Sequence, residues 1–224
     1  MKRSRLLSLS VIAIASSITC VSQSVYAQAY SYPSFQLPTV SNRDYTAGIA
    51  ASKGTVAFFQ WREGINDDFH FSLDAGLGDP EGRDNNLIVF GGATVGAQLL
   101  RATADQPLDL LLTGGAGLAF GAGQTTLRMP VGVSMGHRFP FEGGLALTPY
   151  VHPRVSVDVC SSCTSKNNNN SELSLNFDLG VNFEVNPKFA IRMAGSFSGA
   201  DLVGRNDSFA VGISWIPVPL SSKK

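Results

Sequence analysis

The stretch Leu173-Ser-Leu-Asn-Phe-Asp-Leu-Gly-Val-Asn-Phe-Glu-Val185 decides how the chain is read. Its odd positions, Leu173, Leu175, Phe177, Leu179, Val181, Phe183 and Val185, are apolar; its even positions, Ser174, Asn176, Asp178, Gly180, Asn182 and Glu184, are polar or glycine. A strand sends successive side chains to opposite faces, so this pattern gives one apolar and one wet face. A helix would scatter the same residues around its whole circumference. What remains open is the solvent that meets the apolar face.

The same alternation recurs on both sides of this stretch. Residues 44–52 and 55–61 form two runs around a tight turn at Lys53-Gly54. Residues 69–77 follow, then a Gly/Asp/Asn-rich loop at 78–86, then 87–99, where Ile88 and Phe90 break the alternation. Residues 108–120 are Gly-rich. Next, Leu127, Met129, Val131, Val133 and Met135 oppose Arg128, Pro130, Gly132, Ser134, Gly136 and Arg138. Pro130 lacks a ladder donor, so a bulge or local distortion is expected there. Residues 140–144 turn the chain into 145–159, with Pro149 and Pro153 on the apolar face. After 173–185, Asn186-Pro187-Lys188 turns into 189–197, and 208–215 is the last run. This makes about ten strands, with eight to twelve compatible with the pattern.

The amino end reads differently. Met1-Lys2-Arg3-Ser4-Arg5 is basic, residues 6–18 are apolar, and Val25-Tyr26-Ala27 offers a cleavage site, so residues 1–27 are expected to be a secretory signal peptide. Without Lys2, Arg3 and Arg5, the 17 basic residues fall to 14 against 17 acidic ones, and nucleic acid is not an expected partner. Residues 28–43 do not alternate and are expected to be an N-terminal extension or plug, with 28–37 as a further strand in the alternative. The barrel is assigned to 44–216 and a C-terminal tail to 217–224. Cys160 and Cys163 lie in an oxidising compartment with no second pair, which points to a small disulfide at a loop tip.

Two all-β architectures share this alternation. A soluble lipocalin-like barrel turns its apolar face inward around an apolar ligand, and its outer face carries abundant Lys and Glu. Here the polar face is dominated by Gly, Ser and Asn, which suits a confined lumen and an apolar face against lipid. Strands of nine to thirteen residues match a tilted bilayer crossing. If the first strand runs outward, the long loops 78–86, 160–172 and 199–207 fall outside and shorter turns fall in the periplasm, Lys53-Gly54 excepted. The expected fold is therefore an all-β, antiparallel up-and-down transmembrane barrel in the bacterial outer membrane. Tyr45, Trp61, Tyr150 and Trp215 are candidates for interface girdles, although Tyr150 falls on the inward face.

From the signal peptide to Phe209-Ala210-Val211-Gly212-Ile213-Ser214-Trp215, the chain resembles the small outer-membrane β-barrel family that includes opacity-type, porin-like proteins. The resemblance implies outer-membrane lipid and the barrel-assembly machinery as partners. Members of that family usually end on an aromatic residue, whereas this chain continues through Ile216 to Lys224.

The inward face is expected to collect His70, Asp74, Arg128, Arg138, His152, Arg154, Asp158, Asp178, Glu184 and Arg192. Four Arg balance four acids there, which favours ion pairs filling a narrow lumen over a selective pore. His152, Ser156 and Asp158 invite a Ser-His-Asp reading, but positions two apart on a face are about 7 Å apart and His152 to Ser156 is twice that. The Asp67-Asp68 pair reads as a solvated turn. No catalytic site, metal site or cofactor is expected. The role is porin-like or one of surface structure and interaction, with a lipid-modifying enzyme as the remote alternative. No solute or surface partner is legible.

Overall fold

Alternation carried through ten segments produces one sheet closed on itself. The structure, a computed structural model, describes residues 34–52, 54–80, 87–121, 124–161, 171–199 and 207–217. Its strands are β1 (Arg43–Ala51), β2 (Gly54–Gly64), β3 (Phe69–Pro80), β4 (Ile88–Leu100), β5 (Asp109–Gly121), β6 (Gln124–Gly136), the two-residue β7 (Phe139–Pro140), β8 (Ala146–Ser161), β9 (Ser171–Asn186), β10 (Phe189–Ser198) and β11 (Ser208–Trp215). Each long strand pairs antiparallel with its neighbour in sequence. Closure comes from β1 on β11, with Tyr45 opposite Trp215, and from β6 on β8, with Arg128 opposite Asp158. Ten long strands thus form an up-and-down barrel, and β7 only extends the rim beside β8.

The faces sort as lipid on the outside requires. On β9, Leu173 and Leu175 are 71% and 65% exposed, while Ser174 and Asn176, which alternate with them, are buried. Large apolar side chains are exposed on every other long strand as well, among them Ile49, Phe59, Leu73, Val95, Leu118, Val131, Val155, Met193 and Ile213. A water-soluble barrel would not tolerate so continuous an apolar surface. Closure also gives each of the ten long strands a partner on both sides, the condition a β-structure must meet in hydrocarbon.

The structure corrects several sequence expectations. Most strands are longer than the alternation indicated: Gly78, Asp79 and Pro80 belong to β3, Cys160 and Ser161 to β8, and Glu172 to β9, none of them to loops. At Pro130 the outcome is the local distortion of the two alternatives, not a bulge. The β5–β6 ladder lapses between Gly114–Val131 and Gly117–Arg128 and resumes in the same register, because a missing N–H removes bonds without adding a residue. Opposite Pro153, the β6–β8 ladder lapses in the same way between Gly132–Arg154 and Met135–Val151. The register shifts that do occur lie near Gln98 and Phe189.

The rim where the chain enters β1 is here termed proximal, and the opposite rim distal. Distal connections include the long ones, 81–87, 162–170 and 199–207, but also two short ones, 52–53 and 122–123. Proximal connections include the eight residues 101–108, so the loop asymmetry is weaker than the sequence suggested. The proximal turn after β7 runs through Gly143 and Gly144 at φ +78° and +81°, values that favour glycine. Tyr45 stacks on Trp215 with centroids 5.4 Å apart, and Trp61 meets Phe71 edge-on at 5.3 Å, giving an outer aromatic patch near the proximal rim. Tyr150 is not part of it. Its ring is buried inside the barrel, lying over Gly180, where a Cβ would collide with it.

Candidate functional site

The lumen is where the polar faces converge. An eight-stranded barrel is just wide enough for its own inward side chains to fill it, so ten strands leave surplus room. Here residues 34–42 occupy that room. Phe35 and Gln36 are buried, and the segment touches walls on opposite sides of the barrel. The Ser34 hydroxyl donates to Asp178 Oδ2 on β9 (3.0 Å), and Gln60 Nε2 on β2 donates to the Ser34 carbonyl (3.1 Å). Ser134 Oγ on β6 donates to the Gln36 carbonyl (2.6 Å), and Gln36 Nε2 donates to Thr94 Oγ1 on β4 (3.3 Å). Arg62 donates to the Phe35 carbonyl. Gln98 holds the segment at both ends of its amide, accepting from Val40 N–H (2.9 Å) and donating to the Pro38 carbonyl (3.0 Å). The Phe35 ring packs against Phe58 at 5.5 Å.

Around this segment the wall charges pair with one another. Arg192 Nη1 lies 2.9 Å from Asp44 Oδ1, and Arg62 Nη1 lies 3.7 Å from the other oxygen of the same carboxylate. Arg154 pairs with Asp178 at 2.9 Å, and Arg128 with Asp158 through two hydrogen bonds of 2.7 and 2.9 Å. Asp74 accepts from Gln60 Nε2 at 2.7 Å. On the inward face, the described residues include four buried Arg (62, 128, 154, 192) and five buried Asp (44, 74, 158, 178 and, at the proximal end of β5, 109). Buried charge is tolerable only when paired and hydrogen-bonded, and this set satisfies that condition largely without help from residues 34–42.

The structure therefore places His70, Asp74, Arg128, His152, Arg154, Asp158, Asp178 and Arg192 inside the barrel. Arg138 and Glu184 lie elsewhere. They pair at 2.6 Å at the proximal rim, with side chains 49% and 17% exposed. Sequence reasoning missed Asp44, which opens the first run in phase with Thr46 but was not counted on its inward face, and Arg62, in phase with Gln60 one residue past the end assigned to the second run. Ile88 and Phe90 are not errors in the pattern. They point inward with Phe58 and Ala119 and form an apolar layer in the lumen.

His152, Ser156 and Asp158 do not form a catalytic unit. Ser156 Oγ pairs with Ser174 Oγ at 2.7 Å, and Asp158 is held by Arg128. His152 instead bridges Thr113 Oγ1, 2.8 Å from Nε2, and Asp178 Oδ2, 3.4 Å from Nδ1. That order of hydroxyl, imidazole and carboxylate is one a nucleophilic site uses. However, Ser34 Oγ sits 3.0 Å from His152 Nδ1, and the cavity beside Thr113 holds about 20 Å³, room for one water. Among the described residues, no group of His, Cys, Asp and Glu is arranged to hold a metal. Cys160 is buried, with its Sγ 3.6 Å from Thr126 Oγ1, while Cys163 lies outside the described residues, as do residues 28–33.

No protein-family model and no curated protein sequence matches the chain. Among solved structures, the beta domain of the Bordetella autotransporter BrkA is similar with a TM-score of 0.53 at 9% identity, over 78% of this chain and 98% of that one. LpxR from Salmonella typhimurium gives 0.44 at 9% identity, over 80% and 77% of the two chains, and the KdgM porin 0.36 at 8%, over 77% and 98%. At such identities the likeness is one of fold, and the BrkA domain carries it. A closed antiparallel barrel, apolar outside and polar within, is the form in which β-structure crosses the outer membrane, and this chain is a small integral β-barrel of the bacterial outer membrane.

Proposed function

We propose that the barrel is closed at rest and acts as a non-catalytic outer-membrane protein through its distal, surface-facing end. The observation that carries this reading is residues 34–42 running through a lumen whose charges are already paired. A constitutive pore needs a continuous wet path, and a one-signed ring of charge would make it selective. Neither feature accompanies an inward face that mixes four buried Arg with five buried Asp. The absence of catalysis rests on the space around His152: a single water fits, and no substrate carbonyl could reach the Thr113 hydroxyl. In this reading the N-terminal rim faces the periplasm, the longer connections face the surface, and a Cys160–Cys163 disulfide clips the connection after β8.

Planar-bilayer recording of the mature protein tests the closed state. The expected result is a membrane-inserted barrel with no sustained current. A steady current from every inserted molecule would overturn it.

A further inference from the structure

Most polar side chains around the mid-lumen cavity are already engaged. Thr113 Oγ1 donates to the Gly132 carbonyl (3.2 Å) and lies 2.8 Å from His152 Nε2, while Ser34 Oγ lies 3.0 Å from both His152 Nδ1 and Asp178 Oδ2. Thr94 Oγ1 accepts from Gln36 Nε2 and pairs with Ser72 Oγ. Two atoms are left over. Gln36 Oε1 and Arg154 Nε are buried with no hydrogen-bond partner among the described residues, although both residues line this cavity and are only 2% and 4% exposed. An acceptor and a donor, each costly when left dry, thus border the same space.

The space itself comes from the wall. Pro130 has no N–H, so the β5–β6 ladder lapses beside it, and Gly114 across the lapse presents no side chain; both residues border the cavity. It holds about 20 Å³, against the roughly 10–15 Å³ that one water needs.

We infer that this cavity is a built hydration site: one water accepts from Arg154 Nε and donates to Gln36 Oε1, with the Asp74 carboxylate as acceptor for its second hydrogen. The chemistry selects water over an ion. A cation would face the Arg154 guanidinium, and an anion would face the Asp74 carboxylate and the Gln36 carbonyl oxygen. Only a neutral molecule that both donates and accepts satisfies the two leftover atoms, and the volume limits it to water. The water gives residues 34–42 a second anchor on β8, beside the contact of Ser34 with His152. Its role is structural, because both ring nitrogens of His152 are taken and no imidazole is free to deprotonate it.

The test is an experimental structure of the mature chain at a resolution that shows ordered water, together with oxygen-17 relaxation dispersion of the same protein in detergent micelles. The expected result is one density peak within hydrogen-bond distance of both Arg154 Nε and Gln36 Oε1. In solution, at least one water should exchange more slowly than the barrel tumbles. Arg154 Nε bonded directly to Gln36 Oε1, with the cavity closed, would overturn the site. So would a peak that refines as an ion, or a relaxation profile with no slow water. The inference rests on residues 34–42 lying in the lumen, as the closed-barrel reading does, and the two fail differently. An empty cavity with these residues in place removes the water alone, whereas finding them outside the lumen removes both.

Discussion

Replacing Asp44 by Ala is expected to destabilise the barrel by roughly 3–5 kcal/mol, the cost of leaving buried charge unpaired. Asp44 is buried between two guanidiniums, Arg192 at 2.9 Å and Arg62 at 3.7 Å, and it also accepts from Thr46 Oγ1 at 3.4 Å. Removing it leaves two buried cations facing each other with no carboxylate between them. Asp44→Asn keeps the shape and one acceptor oxygen, so it should cost less than Asp44→Ala. Urea unfolding of the protein in lipid vesicles measures both. A loss below about 1 kcal/mol for Asp44→Ala would mean that water reaches this cluster, since exposed pairs are worth no more than that, and that the lumen is open at its proximal end.

A second large effect is expected on the outer face. Leu179 lies near the middle of β9 and is exposed, as is Leu173 near the distal end of the same strand. An Arg on the lipid face costs about 2–4 kcal/mol at the bilayer midplane and about 0–1 kcal/mol near the interface. Leu179→Arg should therefore destabilise the barrel several-fold more than Leu173→Arg. In a water-soluble barrel both positions would face water, and two surface substitutions would each stay within about 0.5 kcal/mol. Equal small effects would contradict lipid contact at Leu179.

Much of this architecture was legible because a strand's period of two is a local property. Each alternating run reports its own two faces, and residues 173–185 did so without interruption. The ends of strands were less legible. Asp44 opens its run and Arg62 lies one residue past the end assigned to its own, yet both continue the inward face into the ion-pair cluster. Ile88 and Phe90 looked anomalous because apolar residues can face a lumen when small neighbours leave space for them; Phe90 lies over Gly76. The partners of His152 were beyond reach. Thr113 and Asp178 come from strands on either side of it in the closed barrel, and which inward groups meet depends on register and closure, which no single run encodes. The path of residues 34–42 was also hidden, since Pro33 and Pro38 argue against a wall strand but do not say where the segment goes.

The most direct test of the transmembrane barrel is cell fractionation followed by gel electrophoresis of boiled and unboiled samples. The expected result is recovery in the detergent-extracted outer-membrane fraction, with a band that shifts on boiling as the folded barrel unravels. Recovery as a soluble periplasmic protein would contradict it, and the exposed face of Leu173, Leu175 and Leu179 would then need another partner than lipid.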